Sequence, residues 1–139
     1  MELEQTGAYR RTQIREYVCE LVRDAVDFLP NCEVFAARGE SKSAEDFVAV
    51  YFDDVDRERR HNGSDAEAQL VVRVNTKAAP QRADERLDDI SSHIEKAFCD
   101  DASLGAHVND SYCYRVAYSD SKSGVYSAVE LFYLLKYDD

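Results

Sequence analysis

The sequence predicts an α+β domain: an antiparallel or mixed sheet of four to five strands covered by two main helices, in the order α-β-β-β-α-β-β. Three observations carry this. Residues 12–29 and 82–99 repeat apolar side chains at intervals of three and four, the period of a helix lying on a sheet. Residues 47–52 and 126–137 are apolar on both alternating sets, as inner strands are. Between and beside them, residues 68–75 and 112–118 alternate with period two.

In chain order, the first helix places Ile14, Tyr17, Val18, Leu21, Val22, Ala25, Phe28 and Leu29 on one face, and Pro30 stops it. A short extended piece follows over 32–37, turned by Arg38-Gly39, then a polar connection to Asp46. The run Phe47, Val48, Ala49, Val50, Tyr51, Phe52 is the first inner strand. Residues 53–65 are almost wholly charged or polar and carry Asn62-Gly63, a turn signal, so they read as an exposed charged loop. Ala68, Leu70, Val72 and Val74 then mark a half-buried strand pairing back on the previous one.

The second helix buries Leu87, Ile90, Ile94, Ala97 and Phe98, and Asp84, Glu85, Asp88 and Asp89 near its start suit the positive end of a helix dipole. Residues 100–111 read as a loop in which Leu104, Ala106 and Val108 should pack. Tyr112, Tyr114, Val116 and Tyr118 begin a hairpin whose second arm, 126–137, is the last strand laid into the sheet. The domain organisation expected is a flexible arm over 1–10 and one domain over 11–139.

A chain of 139 residues, 45% hydrophobic, suffices for one core. Its start is acidic and lacks an apolar run, and no stretch is long enough to span a bilayer, so a soluble chain with no membrane partner, made in a cytosol, is expected. A formal net charge of -11 argues against gripping nucleic acid by its phosphates, which needs clustered Lys and Arg. It permits a surface past which nucleic acid slides. Cys19, Cys32, Cys99 and Cys113 form no CxxC or Cys/His spacing, so they read as buried free thiols and no metal or cofactor is expected.

Asp46, Asp53, Asp54, Asp56 and Glu67 are close enough in sequence to suggest a divalent-metal nuclease built on Asp53, Asp54 and Glu67. Against it, the acids are interleaved with Arg57, Arg59 and Arg60 and lack a lysine partner, which favours a solvated or partner-facing hairpin. His61, His93 and His107 have no nucleophile placed beside them and read as surface histidines. Glu130 interrupts an otherwise uncharged strand; it reads as paired, for instance with Arg115, or as part of a contact between subunits. The tyrosines of the last hairpin, Tyr112, Tyr114, Tyr118, Tyr126, Tyr133 and Tyr137, fit either half-buried sheet surface or a subunit interface.

The final strand opens Tyr126-Ser127-Ala128-Val129-Glu130-Leu131, followed by Tyr133 and Lys136-Tyr137. With the element order, the strand Phe47-Val48-Ala49-Val50-Tyr51, and the passage from Ala78-Ala79-Pro80 into a helix with Glu85, Leu87, Asp88 and Ile94, it resembles the tail terminator family of long-tailed bacteriophages, the minor tail protein U group. The four cysteines and a lengthened polar approach at Ser41–Ala44 depart from that pattern.

The resemblance implies a non-enzymatic virion protein without a cofactor. It implies a homo-hexameric ring that caps the tail tube, ends its polymerisation, and presents the surface for head-tail joining. Its partners would be the phage tail tube protein and the head-tail connector (neck) protein, with DNA passing through the hole without specific binding. Assembly would occur in the host cytoplasm and the final place would be the head-tail junction. Ring closure needs two complementary patches per subunit. Candidate contact residues are Asp53, Asp54, Asp56, Arg57, Arg59, Arg60, Asp65, Tyr126 and Glu130. A neck or tail-completion protein with the same ring habit is the alternative.

Overall fold

The computed structural model describes the backbone of residues 7–41, 43–60, 63–120 and 123–138, and their side chains except at 7, 57–60 and 63–65. The elements run α1 (Gly7–Ala25), β1 (Cys32–Phe35), β2 (Asp46–Arg60), β3 (Gly63–Thr76), α2 (Pro80–Asp100), β4 (Asp110–Asp120) and β5 (Ser127–Asp138), the order expected. They form one five-stranded mixed sheet, β1-β2-β3-β5-β4, in which only β1 and β2 are parallel. The last strand is inserted between β3 and β4, paired on both sides, as its apolar run requires.

Both helices lie on one face. Beneath them are Val48 and Val50 of β2, Ala66 to Val74 on the even positions of β3, and Val129 to Tyr137 on the odd positions of β5. Into this layer α1 sends Ile14, Val18, Cys19 and Val22, and α2 sends Leu87, Ile90, Ile94 and Phe98. Phe98 stacks on Tyr133, ring centroids 3.9 Å apart. The helices run antiparallel, since Tyr17 meets Asp101 while Phe28 stacks on His93.

Helix α1 starts and stops about one turn earlier than its apolar spacing suggests. Pro30 disfavours helical geometry at the residue before it, so the chain leaves Ala25 through a turn in which Val26 is buried and Leu29 N–H donates to the Val26 carbonyl. Of the arm expected over 1–10, residues 7–10 are helical and residues 1–6 lie outside the described residues. Of the four thiols, all unpaired, Cys19 is buried, Cys32 and Cys113 are half-buried, and Cys99 is exposed.

Of the two readings of the segment 53–65, loop and hairpin, the hairpin holds over its described residues, 53–60 and 63–65. The segment is the outer half of a hairpin whose register runs unbroken, apart from a bulge at Asp53, to Arg60 opposite Gly63. Side-chain polarity carries no information on backbone pairing, which is imposed by the hairpin geometry, and Val55 within the segment packs against the core.

Two polar contacts anchor α2. At its start, Arg86 clasps the Asp46 carboxylate through both oxygens, Nε–Oδ1 3.0 Å and Nη2–Oδ2 2.6 Å, with Asp46 only 1% exposed. This bidentate bond holds the guanidinium pKa above its ordinary value. Asp84, Glu85, Asp88 and Asp89 lie beyond the first turn, so the dipole contributes little to them.

At the other end, Asp101 accepts the Gly105 N–H (3.0 Å) and the Tyr17 hydroxyl, and these bonds hold its carboxyl below the usual carboxylate range. They brace a turn in which Leu104, Gly105 and Ala106 all have positive φ, with Leu104 and Val108 buried and Ala106 exposed.

Three outcomes follow for chemical denaturation. Arg86→Ala strands a buried carboxylate and should cost roughly 3 kcal/mol or more, exceeding Asp46→Ala, because the half-exposed Arg86 can rehydrate. Gly105→Ala should cost about 1–3 kcal/mol, since the site has φ +63° and a Cβ there would stand 2.6 Å from the Tyr17 ring. The folded pKa of Asp101 lies below its unfolded value, so its stabilisation is complete above about pH 4 and lost as pH falls through the folded value. Asp101→Asn should therefore lower stability at neutral pH and flatten the acid limb of the stability curve.

Candidate functional site

The sheet face away from the helices is the only part of the described fold where large apolar and charged side chains stand together without a covering layer. Register sets its rows. Phe47, Asn75, Ala128 and Ser119 form the first; Ala49, Arg73, Glu130 and Ala117 the second; Tyr51, Val71, Phe132 and Arg115 the third. Asp54, Gln69, Leu134 and Tyr112 follow, then Asp56, Glu67, Lys136 and Asp110.

The first row is covered by the chain itself. The connection from β1 to β2 crosses this end of the face, seating Ala44 against Phe47, Ala49 and Tyr126. Tyr126 is 3% exposed, its ring edge-on to Phe47 and its hydroxyl donating to the Ala44 carbonyl at 2.7 Å. Its surroundings are those of a clamp for this crossover.

In the second row Glu130 pairs with Arg73 at 3.1 Å, each side chain 20% exposed, and accepts a 3.4 Å bond from the Tyr51 hydroxyl. The sequence suggested Arg115 as its partner; the partner comes instead from β3, because Arg73 lies directly opposite Glu130. Burial and the nearby carboxylate push the Tyr51 hydroxyl pKa up. Arg115 turns over the Phe132 ring, 5.0 Å from its centroid.

Beyond this pair the face opens. Phe132 and Leu134 are half-buried, while Tyr112 and Tyr114 are 45% and 43% exposed. A cleft of ≈ 400 Å³ lined by Arg38, Gly39, Glu40, Tyr51, Arg73 and Asp120 marks the boundary between the covered and open parts. Arg38 stacks 4.4 Å above the Tyr51 ring there and lies 3.8 Å from Asp53. The tyrosines therefore divide: Tyr126, Tyr133 and Tyr137 are core, whereas Tyr112, Tyr114 and Tyr118 are surface. Period two would set Tyr112, Tyr114, Val116 and Tyr118 on one face, but a bulge at Tyr114 splits them: Tyr112 and Tyr114 stay on the open face, while Val116 and Tyr118 turn to the helix side, where the Tyr118 hydroxyl donates to Asp88 of α2.

Asp53, Asp54 and Asp56 are exposed along the outer half of β2. Arg57, Arg59, Arg60 and Asp65 continue the hairpin in backbone, their side chains outside the described set, and His61 lies outside the described residues altogether. Asp46 faces the helices, bound to Arg86, and Glu67 is 3.8 Å from Lys136. Among the described residues no three His, Cys, Asp or Glu side chains gather where one ion could sit. His93 is exposed and packed on Phe28; His107 is half-buried beside Tyr17. The arrangement suits adhesion: aromatic rings and a shielded ion pair on a rigid sheet.

No curated protein sequence matches this one. Among solved structures, a chain described as the virion of a native gene transfer agent (GTA) particle is similar over 90% of this chain and 94% of that one, at 11% identity and a TM-score of 0.49. The family model for phage minor tail protein U matches residues 9–137, nearly the whole chain. This chain therefore belongs to the phage minor tail protein U family, and its role is that of a structural protein of the phage tail, within the virion.

Proposed function

We propose that the chain caps the tail tube as a homo-hexameric ring, ends tube polymerisation, and supplies the surface on which the tail joins the head-tail connector (neck) protein. It acts by fitting, without a reaction or a cofactor. One observation carries this reading: two helices cover one sheet face and leave the other open, with Tyr112, Tyr114, Phe132 and Leu134 around the shielded Arg73–Glu130 pair. An interface core looks like this, rich in aromatic residues and arginine and poor in unpaired charge.

The occupant we assign to that face is the last ring of the tail tube protein. Asp53, Asp54 and Asp56, with Arg57, Arg59, Arg60 and Asp65 further along the same hairpin, extend the contact with mixed charge. DNA passes through the ring unbound, because a chain of net charge -11 repels phosphate. On this reading the protein belongs at the head-tail junction and is assembled in the host cytoplasm.

Purified wild-type protein should appear as a six-fold annulus by negative-stain imaging. Tyr114→Asp with Phe132→Asp should keep the annulus and weaken binding to tube ends by roughly 30-fold, the size expected on losing a hot spot of about 2 kcal/mol. Reversing Arg57, Arg59 and Arg60 to Glu should also reduce tail joining. Tube capping unchanged by either set would remove the sheet face from the function. Rings that bind connector but never tube would make the protein a neck or tail-completion component instead.

A further inference from the structure

Helix α1 begins with the wrong charges for a helix. Between Gly7 and its first acid, Glu16, it carries Arg10 at the end of the first turn, where the macrodipole disfavours a cation, and Arg11 and Arg15 beyond it. Arg15 lies over the Phe52 ring, 5.5 Å from its centroid, and bonds Thr12. Arg10 and Arg11 are half-exposed, and among the described residues no carboxylate lies within ion-pair distance of either. In a chain with 28 acids against 17 bases, an arginine pair with no ion-pair partner among the described residues has no evident role in folding.

The complementary charge lies at the far end of the helical layer. On α2, Asp84 and Glu85 are fully exposed, and Asp89 is exposed with only a 3.9 Å approach from His93. Arg86, beside them, is spent on Asp46.

Helix α2 runs antiparallel to α1, and Tyr17 meets Asp101. At 1.5 Å per residue, Arg10 stands about 10 Å beyond that contact in one direction and Asp84 about 25 Å from it in the other. A gap of about 35 Å is several Debye lengths at physiological salt, so the two patches cannot neutralise each other within one chain. They can do so between copies.

We infer that Arg10 and Arg11 of one copy dock on Asp84, Glu85 and Asp89 of the next, a head-to-tail contact that uses two different patches and repeats around a closed ring. The inference rests on the ring reading above and names the surfaces that close it. Packing end to end along the helical layer leaves the open sheet face free for the tube.

The test uses full-length protein, sedimentation and negative-stain imaging. Arg10→Glu with Arg11→Glu, or Asp84→Lys with Glu85→Lys, should each weaken ring formation by roughly 10–100-fold, as like charges brought together at an interface do. Raising salt should weaken the wild-type ring. Combining all four changes in one chain, or mixing the two variants in equal amounts, should restore rings, because the reversed patches attract again.

Wild-type rings that survive both reversals overturn the inference and leave the ring reading intact. So does failure of the fourfold swap when each variant melts at the wild-type temperature. A wild-type chain that stays monomeric, with tube ends present, overturns the ring reading and the inference together.

Discussion

A sheet has two faces, and this chain has helices enough for one. The 19 residues of α1 and 21 of α2 lie side by side over the same surface, where valines and leucines of β2, β3 and β5 are sealed to near-zero exposure. Among the described residues, the opposite surface receives only the β1–β2 crossover, at one end. From this asymmetry follow the half-buried state of Phe132 and Leu134, the shielded Arg73–Glu130 pair and the exposure of Tyr112 and Tyr114. An inner strand apolar on both faces has to bury both. Here one of the two faces stays half-wet.

The covered side is held in register by contacts at its ends more than by its middle. Hydrophobic burial is non-directional and would tolerate α2 sliding along the sheet. The Asp46–Arg86 clasp and the Tyr17–Asp101 bond fix both ends of α2, and each costs something to maintain: a carboxylate taken out of water in the first case, three successive left-handed residues in the second. Fixing α2 also fixes where its acidic flank stands relative to the arginines of α1.

The element order, both helices and the inner position of the last strand were legible because hydrophobic period and strand length are local properties. The charged stretch 53–65 was legible as an exposed hairpin through its turn signal, but polarity reports exposure and says nothing of how far the backbone pairing runs, so the same stretch also reads as a loop. Glu130 was recognisable as a constrained charge, but its partner depended on register: β4 precedes β5 in the chain and suggests Arg115, whereas β3, arriving from the other side, places Arg73 opposite. Tyr126 looked like a surface aromatic of the last hairpin and is instead enclosed by a segment some eighty residues upstream.

By itself the sequence determined the class of fold and the resemblance to the tail protein family, both of which depend on composition and on patterns within a few turns or strands. Only the tertiary structure decided which sheet face is open, which tyrosines line it, and that the cationic and anionic ends of the helical layer lie too far apart to meet. Those are properties of how distant segments are arranged, and one-dimensional periodicity carries no information about which side of a sheet a helix will choose.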